Sequence, residues 1–284
     1  MGQMFVRILV DAGLEVIAID VDPVVGDSPL SVGRLTGDIT NPSAEILHAL
    51  SETDCALLAV PEQVALGSID VLVAAMPDDS LIAHTCSVQG PMAARLMEVK
   101  NPLQAVGFNP MFGPSLLPQG RPIAEIIIRD GPLVEHLSGI LKLTSADLVV
   151  VTAENHDRIC SITQAAAHAA IISFGLAIMK SGVSHEELVR LAPPPCVTLL
   201  ALLARVASGS PEVYWDVQFA NPQAAESRTN LIQSAGLLDQ MIEDGDIAAF
   251  EIAISEIASY FDSSLSGFAD IAQDLLARLP SNQI

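Results

Sequence analysis

The sequence predicts an α/β domain built on a doubly wound parallel sheet, followed by an all-α domain. Two observations predict it. Short apolar runs bounded by turn residues alternate with helical segments up to about Thr152. Beyond Thr152 the strand signal stops, and long Ala/Leu/Ile-rich segments with helical spacing take over. The expected boundaries are 1–152 and 153–284.

In chain order, residues 2–13 read as a helix closed by Gly13. "EVIAIDVDP" (15–23) reads as a buried strand with an acidic end and a stopping proline, and "GDIT" (37–40) as a short strand. "DCALLAVP" (54–61) is a strand stopped by Pro61, with a helix running on to about Met76. "SLIAHTCSV" (80–88) and "LQAVGFNP" (103–110) are the next strands, the latter carried into a loop. "AEIIIRDG" (124–131) and "ADLVVVT" (146–152) follow, with a helix between them. Helices are then expected over 154–180, 197–208, 211–243 and 246–278, with "APPPC" (192–196) as a break and a short polar tail. No internal repeat occurs.

Half of the 284 residues are apolar, enough for a sizeable core. The net charge is −21, which disfavours nucleic-acid and anionic-membrane partners. An anionic substrate would need a local cation set against that field. Cys55, Cys86, Cys160 and Cys196 are scattered without a CxxC pair. No zinc site or disulfide framework is therefore signalled, and reduced thiols in a cytoplasmic protein are expected. No apolar run reads as long enough to span a bilayer, and the amino terminus lacks a signal-peptide layout.

A strand, a helix and an acid-tipped second strand form a dinucleotide-binding unit of Rossmann type, with G-x-G-x-x-G opening the helix. Here the helix begins at residue 2, and only "MG" remains of that pattern, with Gly2 in the place of its last glycine. We expect the reading frame to begin upstream with a strand central to the sheet. An intact mass of the native protein equal to the 284-residue mass would contradict this. Asp20, with Asp22 as second choice, suits a ribose diol, and no arginine follows closely, which favours NAD over NADP.

Six stretches in order then resemble the prephenate dehydrogenase (cyclohexadienyl dehydrogenase) family over essentially the whole chain. They are "MGQMFVRILVDAGLEV", "LLAVP", "TCSVQGP", "GFNPMFGP", "TAENHDRICSITQAAAH" and "LARVASGSPEVYWDV". The resemblance implies NAD-dependent oxidative decarboxylation of a small anionic cyclohexadiene. Hydride leaves ring carbon 4, the ring carboxylate leaves as CO₂, and the ring becomes aromatic. It implies that Gly2, Asp20, Val60 and Pro61 face the cofactor. It implies that Arg205 clamps a substrate carboxylate, a task suited to a planar guanidinium. It implies substrate contacts from His168, Gln164 and Tyr214, and a hydrogen bond from Ser87 near the reacting carbon. His156 matches a family position and reads as structural. Trp215 and the helices around it read as core or dimer contact, and a homodimer through the helical domain is expected. His48, His84, His136 and His185 have no sequence partner that makes a site.

"GFNPMFGP" carries turn residues at Gly107, Pro110, Gly113 and Pro114, and one polar side chain, Asn109. The family pattern has its catalytic histidine there. Hydride loss from an alcohol carbon leaves a protonated carbonyl, which a basic side chain relieves. Asn cannot act as that base; its oxygen only accepts a hydrogen bond. An amine on the same carbon expels hydride to leave an iminium ion, far less acidic, so no base is needed. Asn109 therefore points to 4-amino-4-deoxyprephenate, converted to 4-aminophenylpyruvate; the family resemblance implies relatives with that activity, which supply antibiotic precursors. Other readings stand beside it: a prephenate or arogenate dehydrogenase in which water or Ser87 replaces the base, a catalytically inactive ligand-binding relative, or a different NAD enzyme sharing only the architecture.

Overall fold

The computed structural model describes residues 1–22 and 32–279. The chain divides into two units, Met1–Cys160 and Ser161–Ile284.

The first unit is α/β. Its elements are α1 (Gly2–Asp11), β1 (Ile17–Asp20), β2 (Gly33–Thr36), α2 (Ala44–Ser51), β3 (Cys55–Leu58), α3 (Glu62–Ala75), β4 (Leu81–His84), α4 (Gly90–Met97), β5 (Gln104–Pro110), β6 (Pro122–Arg129), α5 (Pro132–Leu143), β7 (Asp147–Val150) and α6 (Ala153–Cys160). The strands fall into two sheets: a parallel β1–β2 pair, and a five-stranded sheet in the order β3-β4-β5-β6-β7.

Several expectations are corrected here. The sheet is mixed rather than all parallel, because β6 runs antiparallel to β5. The second short strand lies at Gly33–Thr36, and "GDIT" forms the turn after it, where Asp38 accepts hydrogen bonds from Thr40 N and Thr40 Oγ1. The strand expected to be buried at 15–23 is half exposed over Ile17–Asp20. Among the described residues it bonds only to β2, so one edge carries no ladder. Pro23, expected to stop it, lies outside the described residues.

β4 shows how the sheet is covered. All four of its residues are buried, as a strand sandwiched on both faces must be. Leu81 and Ala83 pack with Met4, Phe5, Val106, Phe108, Leu137 and Leu141 on the α1/α5 face. Ile82 packs with Ile46, Ile69, Leu72, Met92, Leu96 and Ala105 on the α2–α4 face. Period-two alternation puts His84 on the second face. It is fully buried, neither ring nitrogen has a hydrogen-bond partner, and burial, with the nearby His156, pushes its pKa down to about 3.

This histidine folds neutral. In the unfolded chain it titrates near the ordinary value of 6.5. Below that pH the unfolded state takes up the proton first, so stability is fully present above pH 6.5 and drains away toward pH 3. The slope approaches about 1.4 kcal/mol per pH unit, or about 2 kcal/mol by pH 5. Urea titrations at pH 7 and pH 5 should show that loss, and His84→Asn should shrink it.

The second unit is all helix: a π-helical segment, Ser161–Ala166, then α7 (Ala167–Lys180), α8 (His185–Leu191), α9 (Pro194–Ala207), α10 (Pro211–Phe219), α11 (Ala224–Glu243), α12 (Ile247–Phe261) and α13 (Ser264–Ala277). Three boundaries differ from expectation. Asn221 and Pro222 break 211–243 into two helices. Asp262, at φ 43°, breaks 246–278. α9 starts inside the proline run, since proline is welcome in a first turn. The helical run Ala153–Lys180 is long and apolar enough, by length and composition, to cross a membrane, which corrects the sequence reading that no such run exists. Its π-helical part packs on α11, and α7 packs on α9.

Candidate active site

Parallel strands end on one edge of the first unit, the usual place for a site in an α/β sheet. Ser87 follows β4, and Asn109 lies near the end of β5. Asn109 is in the strand itself, paired with Ala124 and only 4 % exposed.

The Ser87 loop is held from two sides. Val88 N donates to Glu62 Oε1 at 2.8 Å. Gln89 N and Gly90 N donate to Asp157 Oδ1 and Oδ2, both at 2.8 Å. Those amides open α4, so Asp157 also places a carboxylate at the positive end of that helix. Gly107 is needed beneath this loop: a Cβ there would collide with Gln89 Oε1 and lie 2.9 Å from the His84 ring.

Asn109 has its own support. Its Nδ2 lies 2.9 Å from His156 Nε2, and His156 Nδ1 lies 2.8 Å from Asp157 Oδ1. His156 and Asp157 are both buried. The sequence reading gave His156 a structural part and did not single out Asp157. The adjacent His-Asp pair at the start of a helix was the signal. Neither Asn109 Oδ1 nor Ser87 Oγ makes a hydrogen bond among the described residues. Neither atom is among the buried unpaired ones, so two polar groups at neighbouring strand ends stand open to solvent or a ligand.

The residues expected to face a dinucleotide lie along the same unit. Gly2 opens α1, where a Cβ would sit 3.5 Å from Ala59 Cβ. The helix start has no side-chain cap and no acidic residue in its first turn. That end suits a pyrophosphate. Asp20 ends β1 with an exposed carboxylate, whose Oδ1 accepts from Asp22 N. Val60 and Pro61 follow β3, and Pro61 caps α3. These residues fit a nicotinamide dinucleotide.

The second unit gathers a polar group around a single cation, Arg205. His168 meets the Tyr214 ring edge-on at 5.0 Å between centroids. Tyr214 Oη donates to the Arg205 carbonyl at 3.4 Å. Desolvation, and then the Arg205 charge, lower the His168 pKa, so the ring is neutral near pH 7. Its Nδ1 is buried without a hydrogen-bond partner. The exposed Arg205 guanidinium forms no ion pair among the described residues, in a chain with 34 acidic side chains. Gln164 lies in the π-helical segment, one turn before His168. No group of His, Cys, Asp and Glu side chains that could hold a metal ion occurs among the described residues.

Residues 152–256 match the family model described as "Prephenate dehydrogenase, dimerization domain". The 4-amino-4-deoxyprephenate dehydrogenase of Streptomyces pristinaespiralis is 41 % identical over 256 residues, covering 90 % of this chain and 86 % of that one. A probable arogenate/prephenate dehydrogenase of Methanocaldococcus jannaschii is 26 % identical over 272 residues, covering 93 % of this chain and 59 % of that one. The crystal structure of prephenate dehydrogenase from A. aeolicus, in complex with hydroxyphenyl propionate and NAD⁺, matches with a TM-score of 0.71. That match covers 92 % of this chain and 95 % of that one at 15 % identity, a likeness of fold.

Proposed function

The chain belongs to the prephenate dehydrogenase family, and on that premise we propose that it oxidises 4-amino-4-deoxyprephenate with NAD⁺ to 4-aminophenylpyruvate, CO₂ and NADH. The observation that carries the choice of substrate is Asn109. It offers a neutral amide where the family pattern has a base, and its carbonyl oxygen and the Ser87 hydroxyl have no other partner among the described residues.

NAD⁺ supplies the hydride acceptor. Gly2 and the start of α1 would hold its pyrophosphate, Asp20 its ribose diol, and Val60 and Pro61 would border its nicotinamide end. Asn109 Oδ1 and Ser87 accept the N–H bonds of the ring amine. They aim its lone pair at the carbon that loses hydride, a task of positioning rather than proton transfer. As the ring carboxylate departs, its bonding pair neutralises the iminium and completes the aromatic ring. No proton has to be removed by the protein. Arg205 takes a substrate carboxylate, with neutral His168, Gln164 and Tyr214 beside it. Prephenate or arogenate is the competing substrate, favoured by the M. jannaschii relative. Mass spectrometry of the reaction mixture should detect 4-aminophenylpyruvate formed in step with NADH. NADH without that product would overturn the substrate choice.

The helical unit carries the family's dimerization domain, and we read the protein as a homodimer. Large apolar side chains are exposed across it, among them Trp215 at 62 %, Ile247 at 71 % and Tyr260 at 84 %. Surfaces of that kind mark association sites. Light scattering should give twice the 29.9 kDa chain mass. A mass of one chain would refute the dimer. The four free cysteines suit a reducing, cytoplasmic setting.

A further inference from the structure

We propose that Asp157 and His156 are positioning residues that lock the Asn109 amide in one orientation, with its carbonyl oxygen turned to the ligand. The inference rests on the amine-substrate reading above and deepens it.

A carboxylate only accepts hydrogen bonds. The 2.8 Å contact between Asp157 Oδ1 and His156 Nδ1 therefore places the ring proton on Nδ1. In the neutral ring Nε2 is then a bare acceptor. The group facing it at 2.9 Å must donate, so the NH₂ of Asn109 turns toward His156. The Cys160 thiol, 3.4 Å from the same nitrogen, is a second donor to it. Rotating the amide by 180° would set its oxygen against the Nε2 lone pair, in a buried place where an unmade hydrogen bond is costly.

The orientation matters for specificity. A ligand at Asn109 meets an acceptor, not a donor. An amine with two N–H bonds satisfies it and the Ser87 oxygen together. An alcohol has a single O–H to give. Asp157 serves both halves of this arrangement, because the same carboxylate holds the amides of Gln89 and Gly90 next to Ser87. One buried side chain thus sets the register of Ser87 against Asn109.

The test has two arms. In protein labelled with ¹⁵N, the His156 shifts should show Nδ1 protonated and Nε2 bare, with scalar coupling through the hydrogen bond to Asn109 Nδ2. A bare Nδ1, or a doubly protonated ring at neutral pH, would overturn the proposal whatever the substrate is. In the kinetic arm, His156→Leu should lower kcat/KM for the amino substrate about tenfold, as expected for one lost hydrogen bond. In an Asn109→Ala background the same change should cost less than about twofold. An equal loss in both backgrounds would show a structural role and also overturn the proposal. If the unmodified protein prefers prephenate, the substrate reading fails, while the ¹⁵N result still decides the amide orientation.

Discussion

Asn109→His is expected to raise kcat/KM for prephenate by about 10²-fold or more, the usual range for general-base assistance. The surroundings are ready for the change. An imidazole at position 109 can donate one N–H to the His156 Nε2 now facing the Asn109 amide. Its other nitrogen is then bare and faces the ligand. Asp157, His156 and the new histidine would form a relay ending in a base. The same variant should lose activity toward the amino substrate, because a basic nitrogen replaces a carbonyl acceptor and gains a charge beside a neutral amine as pH falls. Steady-state NADH formation with both substrates measures it. Unchanged selectivity would mean that position 109 does not face the reacting carbon.

Arg205→Leu is expected to reduce kcat/KM by about 10²-fold while leaving NAD⁺ binding unchanged. Each hydrogen bond to a charged group is worth about 1.5–3 kcal/mol, and a bidentate clamp makes two. Arg205 has no ion-pair partner among the described residues to compete for it. In a protein of net charge −21, an unpaired guanidinium beside a neutral histidine is what an anionic substrate requires. Arg205→Lys should restore part of the activity, since it keeps the charge and loses the planar fork. Substrate kinetics with a parallel NAD⁺ fluorescence titration separate the two effects. Equal losses in both would indicate a folding defect instead.

Local pattern made much of the fold legible. "SLIAHTCSV" reads as a strand, and the structure has one at Leu81–His84, with all four residues buried. What failed was non-local or weakly marked. The antiparallel course of β6 depends on how the chain returns after Pro110, which no side-chain alternation records. β2 reads "GRLT", with glycine and arginine diluting the strand signal. Asn221–Pro222 is a turn signal set inside a long helical pattern, and the helix breaks there. The break at Asp262 carries no proline or glycine. At the site, Ser87, Asn109, Arg205 and His168 came from motif resemblance. The structure adds the contacts between residues far apart in sequence: His156 with Asn109, and Asp157 with the amides that start α4. Adjacent His and Asp residues on a helix do not disclose what they reach.

The most direct measurement of the central claim is the ratio of kcat/KM values for 4-amino-4-deoxyprephenate and prephenate, followed by NADH absorbance with purified protein and NAD⁺. A ratio well above one, by about 10²-fold, is the result expected from an acceptor-only Asn109. Equal or faster turnover of prephenate would contradict it, and would mean that the base is either dispensable or supplied by another group.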